Sequence, residues 1–181
     1  DILAKLPLPM CISMQLSTTQ QALEARFKRR FARTGQFELP IHFANAFTQP
    51  EWPVMTTDAP GELVPMRWGF VPTWAKEEPK EFLRTRMTYN CVSEEVADKP
   101  VFRNAFKHGH RCLVPVTGFY EHHHVGKGAK AVKIPYLIQV QSEPVFCLGG
   151  LFERDTFTLF TTRPNAAIAR IHNSKDRQVL I

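Results

Sequence analysis

The sequence predicts an α+β fold, a single domain built around antiparallel sheet, and three observations carry that prediction. Its apolar residues fall mostly in short runs, and the first of them alternates with period two, which is the spacing of strands. Fourteen prolines punctuate the chain and bar long helices from most of it. Helical spacing is confined to a stretch near each end, and no repeat or linker divides the chain. A chain of 181 residues can bury roughly 70% of its unfolded surface. Its 14 Phe, 3 Trp and 3 Tyr supply core material, which excludes a disordered chain. No apolar run approaches the ~20 residues of a membrane-spanning helix, and no basic-then-apolar signal segment opens the chain.

Taken in order, Met10 to Leu16 alternates, with Ile12, Met14 and Leu16 on one side and Cys11, Ser13 and Gln15 on the other. Ser17-Thr-Thr-Gln20 resembles a capping box, opening a helix expected to run to about Thr34 and stop at Gly35. Leu23, Phe27 and Phe31 share one face of it; Arg26, Lys28, Arg29, Arg30 and Arg33 cover much of the rest, the usual look of a solvated face. From Pro40 to Pro72 repeated prolines predict short strands with irregular connections, Met66 to Val71 being a buried one. Lys76 to Arg86 reads as a loop or short helix. Further strands are predicted at Cys112–Val116, Phe119–Glu121, Pro135–Val140, Val145–Phe152 and Thr156–Thr162, with a hairpin turn at Gly126-Lys-Gly128. Asn165 to His172 reads as a short helix.

A net charge of +6 and a pI near 9.3 fit a polyanionic partner and a mildly basic enzyme equally well. The four cysteines, Cys11, Cys91, Cys112 and Cys147, form no CxxC pair, and free thiols in a reducing compartment are the simplest reading. Cys112 and Cys147 sit in apolar strands as small core residues; Cys91, at a segment boundary, is ambiguous. The histidines His122-His-His124 alternate sides of a strand, so they cannot all face one ion; a polar strand end explains them better, and no metal or cofactor is expected. Glu121 ends an apolar strand, either as an exposed carboxylate or as a partly buried acid suited to proton transfer. His172 closes the last helix, where a structural histidine and an acid–base one are both possible. Trp68 and Trp74 flank Pro72 and suit either the core or stacking on an unpaired base. Cys11 differs from the other thiols: removing Met10 would leave an α-amine, with a pKa near 7.7–8.0, beside its sulfur.

Met10-Cys11, Trp68-Gly-Phe-Val-Pro-Thr-Trp74, Asn90, Arg111 to Glu121 (RCLVPVTGFYE) and Ala169-Arg-Ile-His-Asn173 occur in an order that resembles the SOS response-associated peptidase (SRAP) family of abasic-site DNA–protein crosslinking proteins. Asn45 resembles that family's early asparagine. The resemblance implies a β-barrel-like sheet with a few peripheral helices that binds single-stranded DNA carrying abasic sites. It assigns Cys11 as nucleophile, Asn90 to holding its amine and the opened sugar, and Glu121 and His172 to moving protons. Self-processing would remove the residues before Cys11. Trp68, Trp74, Arg67, Arg103, Arg111 and Arg170 become candidate DNA contacts. Residues 1–9 would be a leader, a tag remnant or a displaced segment, and 10–181 the domain, expected to lack its C-terminal end. A role in DNA damage repair implies a cytoplasmic location, nucleoid-associated in a bacterium, without an obligate protein partner.

The chain departs from the family's pattern at four places. Ile12-Ser13 replaces Gly-Arg, Val92 replaces an Arg, Ala75 replaces a second Trp, and His122 stands where Trp is common. The reacting set survives while the DNA-contact set is thinned. Two rivals remain: a thiol-dependent peptidase or amidohydrolase without a DNA role, and a non-covalent single-stranded nucleic-acid module.

Overall fold

The structure, a computed structural model, describes residues 12–32, 37–126, 132–173 and 176–181. Among them twelve strands and four helices follow one another along the chain. β1 (Ser13–Leu16) leads into α1 (Gln20–Phe27), then β2 (Arg30–Phe31), β3 (Ile41–Asn45), β4 (Glu51–Thr56) and β5 (Glu62–Trp68). α2 (Pro79–Arg86), β6 (Asn90–Val92) and α3 (Arg103–Lys107) cross to β7 (Arg111–Val116), β8 (Gly118–Val125) and β9 (Val132–Ile138). β10 (Phe146–Glu153), β11 (Thr156–Thr162), α4 (Ala166–Ile171) and β12 (Gln178–Val179) complete it. No helix among the described residues is long and apolar enough to cross a membrane.

Five strands close on themselves in the order β11-β10-β7-β4-β5, with β5 returning to β11. Four of these joints are antiparallel and the fifth, Thr156↔Arg67 and Phe157↔Trp68, is parallel. Parity requires this: in a ring with an odd number of strands, direction cannot alternate all the way round. The expected antiparallel sheet therefore carries one parallel seam. At that seam the fully buried Trp68 stacks on Phe157, centroids 6.2 Å apart, and gives its indole N–H to the Tyr89 carbonyl at 3.0 Å. Trp52 does the same across the core to Pro115 O at 2.8 Å. Each indole thus buries its ring without orphaning its donor. A second sheet, β3-β1-β8-β9, shares the core through Met14, Leu16 and Phe119.

Several expectations change. The first helix stops at Phe27, not Thr34, because Lys28 turns left-handed (φ 52°) and its N–H closes on Glu24 O. Phe31 then enters the core as part of β2, its N–H held by the Glu24 carboxylate at 3.0 Å. Four-residue spacing had put Phe31 on a helix face, but parallel pairing with Leu63 of β5 places it in a strand. Thr19, rather than Ser17, caps α1; the Ser17 N–H donates to Thr117 instead. β1 also buries Ser13 and Gln15, opposite its core residues, where Asn45 donates to Ser13 Oγ and the Tyr120 hydroxyl donates to Gln15 Oε1. β8 runs four residues beyond Glu121 and takes in all three histidines. Pro53 and Pro65 face one another across β4 and β5, so both missing donors fall at one ladder position.

Gly150 sits where β10 passes β11 and β7: a methyl there would lie 2.2 Å from the Thr158 carbonyl oxygen and 3.1 Å from Cys112 Sγ. At neighbouring Gly149 it would meet only the Leu180 side-chain end, at 3.2 Å. Urea unfolding should accordingly show Gly150→Ala losing about 3 kcal/mol and Gly149→Ala losing little, since its neighbour can rotate away.

Candidate functional site

Glu121 follows the pleat of β8: Phe119 points into the core, and two residues on the carboxyl is carried to the same side. Its residue is 3% exposed, and burial raises its pKa to about 8. Oε1 has no hydrogen-bond partner among the described residues. Oε2 lies 3.3 Å from Nδ1 of His172, which is itself 8% exposed. A carboxyl that keeps its proton to near-neutral pH thus faces an imidazole across one proton-transfer distance.

The position of His172 is built from α4 and β8 together. Asn165 caps α4, its Oδ1 accepting from Ala167 and Ile168 N–H at 3.0 and 2.9 Å, and buried Ile168 anchors the helix. His172 ends it, its own N–H bonded to Ile168 O at 2.8 Å. The residues on either side are pinned to β8. The Ile171 carbonyl meets Nδ1 of His123 at 2.9 Å, while Asn173 accepts from the His124 N–H and donates to the His124 carbonyl, both at 2.9 Å. The asparagine amide acts as one rung of a β-ladder. Two of the three adjacent histidines therefore have a positioning role, one by its ring and one by its backbone. Sequence reasoning missed His123 and Asn173, since their contacts span 48 and 49 residues and leave no local signature.

β1 brings the front of the chain to this pair. Asn45 donates to Ser13 Oγ at 3.2 Å and the Ala46 N–H bonds to Ile12 O at 2.8 Å. β1 pairs with β8 through Met14↔Phe119 and Gln15↔Gly118; carried two residues further, that antiparallel register sets Ile12 level with Glu121. Cys11, and the segment 1–9 expected to be a leader or displaced piece, lie outside the described residues. The other thiols are poor nucleophiles. Burial pushes Cys91 up to about 12 and Cys147 up to about 11, and raises Cys112 as well.

Asn90 opens β6, half-buried and paired with Leu159 of β11, the strand that leads on to α4. Tyr89 beside it, with Phe47, Leu83 and Met87, lines an apolar cavity of about 540 Å³ rimmed by Lys80 and Arg84. Phe47 meets Tyr89 edge-on at 5.4 Å, held there by the turn that Asn45 caps. Phe47 and Met87 carried no sequence signal, because the cavity exists only once the β3–β4 turn meets α2.

The candidate DNA contacts divide. Trp68 is wholly buried at the barrel seam and leaves the set, whereas Trp74 is 45% exposed, its ring 6.0 Å from Phe82. The Arg111 guanidinium lies 4.0 Å over the Phe106 ring and donates to Phe106 O at 2.9 Å, a packing role. Arg67 is paired with Asp155. Arg103 borders a cavity of about 570 Å³ beside α3, and Arg170 stands exposed in the last turn of α4, two residues before His172.

A closed five-stranded barrel with four short helices, and a buried carboxyl–imidazole pair on β8 and α4, defines a small β-rich domain. The family model described as SOS response associated peptidase (SRAP) matches residues 10–181. The chain belongs to that family. It is 28% identical over 156 residues to the abasic site processing protein YoaM of Bacillus subtilis, covering 76% of this chain and 65% of that protein. It is 42% identical over 59 residues to the abasic site processing protein HMCES of Mus musculus, covering 33% of this chain and 16% of that one. The chain thus spans less than two thirds of the length of these relatives. A crystal structure of a protein from Bacteroides thetaiotaomicron superposes with a TM-score of 0.81 at 30% identity, covering 93% of this chain and 75% of that one. One from Bordetella bronchiseptica gives 0.70 at 20% identity, covering 93% and 82%.

Because the Glu121 pKa is raised from 4.5 to about 8 in the fold, the folded state holds a proton through that window which the unfolded chain releases. Stability contributed by this group is full below the lower value and is lost as pH climbs to the upper one. Glu121→Gln should flatten the fall in urea midpoint between pH 5 and pH 8, as unfolding curves at both pH values will show.

Proposed function

We propose that this protein captures abasic sites in single-stranded DNA as a covalent adduct of Cys11, once the residues before that cysteine have been removed. The observation that carries this reading is the buried Glu121–His172 pair beside the end of β1, the strand that Cys11 precedes. The similarity to YoaM and HMCES, which are abasic site processing proteins, supports the same target. The high pKa values of Cys91 and Cys147, and the raised value of Cys112, leave Cys11 as the thiol suited to the chemistry.

The opened sugar presents an aldehyde. The neutral α-amine of Cys11 adds to it, and loss of water gives an imine. The Cys11 thiol then adds across the imine, its sulfur going to carbon and its proton to nitrogen, which closes a five-membered thiazolidine. Glu121, protonated near neutral pH, gives its proton to the departing hydroxyl and regains one from the adding amine; His172 assists opening of the sugar. Asn90 holds the amine and the opened sugar. The same acid–base pair serves hydrolysis of the Met10–Cys11 bond, the self-processing that exposes the amine. The apolar cavity beside Tyr89 suits a base adjoining the lesion, and Trp74 offers a second stacking surface. Arg103 and Arg170 are available for phosphates.

Protein beginning at Cys11, mixed with an oligonucleotide bearing one abasic site, should give a heat-resistant adduct on a denaturing gel. Cys11→Ala should abolish it and Cys112→Ala should leave it, while Glu121→Gln slows its formation about 100-fold. Adduct formed by Cys11→Ala at the normal yield would overturn the reading. Asn173→Ala, which removes the two bonds to His124 beside His172, should slow the adduct without lowering its final yield.

A further inference from the structure

The two edges of β8 are used unequally. Along one, β9 pairs with it from Phe119 to Val125. Along the other, among the described residues, β1 pairs at Gly118 and Phe119. Backbone groups of successive residues in a strand point to alternate edges. His122 and His124 turn theirs away from β9. Pro135, which has no N–H, stands opposite His122, and the His124 N–H and carbonyl are both bonded to Asn173. Past Tyr120, level with Ser13 in the β1 register, the β1 edge of β8 therefore has two more rungs, at His122 and His124.

The rung at His124 is already filled. The Asn173 side chain accepts from its N–H and donates to its carbonyl, both at 2.9 Å. Any chain running back from β1 in the same register would reach His122 at position 11 and His124 at position 9. Position 9 is a proline, as is position 7. A proline has no N–H to give the His124 carbonyl, so it could fill that rung only by half, whereas the Asn173 amide fills it completely. Fold and sequence thus close the same rung independently, and His122 is the last one left to the front of the chain.

We propose that Asn173 is a specificity-determining residue for self-processing: it ends the ladder two residues before Cys11, so that the Met10–Cys11 bond is the first peptide outside the sheet, with Pro9 as a second barrier. The proposal rests on the self-processing reading. In that hydrolysis the hydroxyl of water adds to the Met10 carbonyl carbon, the C–N bond breaks, and the proton goes to the Cys11 nitrogen, which becomes the free amine. The carbonyl carbon must leave the amide plane on the way, and a peptide clamped between two strands resists that. Because Asn173 directly follows His172, one short segment both stops the ladder and presents the imidazole to Glu121.

A double-variant cycle tests this, with loss of residues 1–10 followed by intact mass after cell-free translation of the chain from Asp1. Pro9→Val alone should leave the half-time unchanged, since Asn173 still fills the rung. Asn173→Ala also loosens His172 and should slow processing by the factor by which it slows the Cys11 adduct. Pro9→Val added to Asn173→Ala should slow processing roughly tenfold further, the worth of one or two regained hydrogen bonds. The same cycle read by amide exchange at His124, on chains that still carry residues 1–10, should show slow exchange in the unaltered protein, fast in Asn173→Ala and slow again in the double variant. Fast exchange in the double variant would overturn the proposal, as would a Pro9→Val effect equal in both backgrounds. Absence of cleavage in the unaltered protein would instead remove the self-processing reading, and the exchange pattern would still decide whether Asn173 closes the rung.

Discussion

A carboxyl group held out of water on the inner pleat of β8 is the constraint around which the site is arranged. Burial alone raises its pKa, and no cation among the described residues lies close enough to reverse that. The cost of keeping an ionisable group there is borne by the core that Phe119, two residues earlier on the same side of β8, shares with Phe146. Without that core the carboxyl would be an ordinary strand-end acid, and its imidazole partner would have nothing to exchange with.

The scaffold reaches this result by distributing the work between separate elements. The closed five-stranded ring supplies rigidity, with its parallel seam plugged by Trp68 on Phe157. The second sheet carries Glu121 and receives β1 along its length. α4 is only six residues long and could not hold an orientation by itself. It is oriented by Asn165 at its start, and at its finish by His123 of β8, whose ring meets the Ile171 carbonyl, and by Asn173, which bonds to the His124 backbone. A site assembled from three chain segments in this way depends on tertiary contact for each of its angles.

The departures from the SRAP pattern acquire physical content against this frame. Ser13, in place of an arginine, is buried and accepts from Asn45, so the start of β1 is fastened by a neutral hydrogen bond rather than offering a charge. His122, in place of a tryptophan, turns outward on the same side of β8 as His124 and opposite Lys133's strand, which moves that face from apolar toward polar. Arg111 spends its charge over Phe106 and Arg67 is held by Asp155, so the arginines nearest in sequence to the recognisable motifs are largely occupied.

Much of this was legible in the residues. Short apolar runs located β7, β10 and β11 to within a residue, and alternation marked the strand that ends at Leu16, because such segments must bury side chains wherever they lie. Asn165 marked the start of α4, since capping is a contact within one turn. The order of Cys11, Asn90, Glu121 and His172 along the chain was enough to suggest the family. Tertiary structure alone decided what depends on partners far away in sequence: that Phe31 belongs to a strand, that Trp68 is core, and that Glu121 keeps its proton. Composition and spacing report what a residue prefers, while desolvation, ring closure and the pairing of β8 with α4 are set by atoms dozens of residues distant.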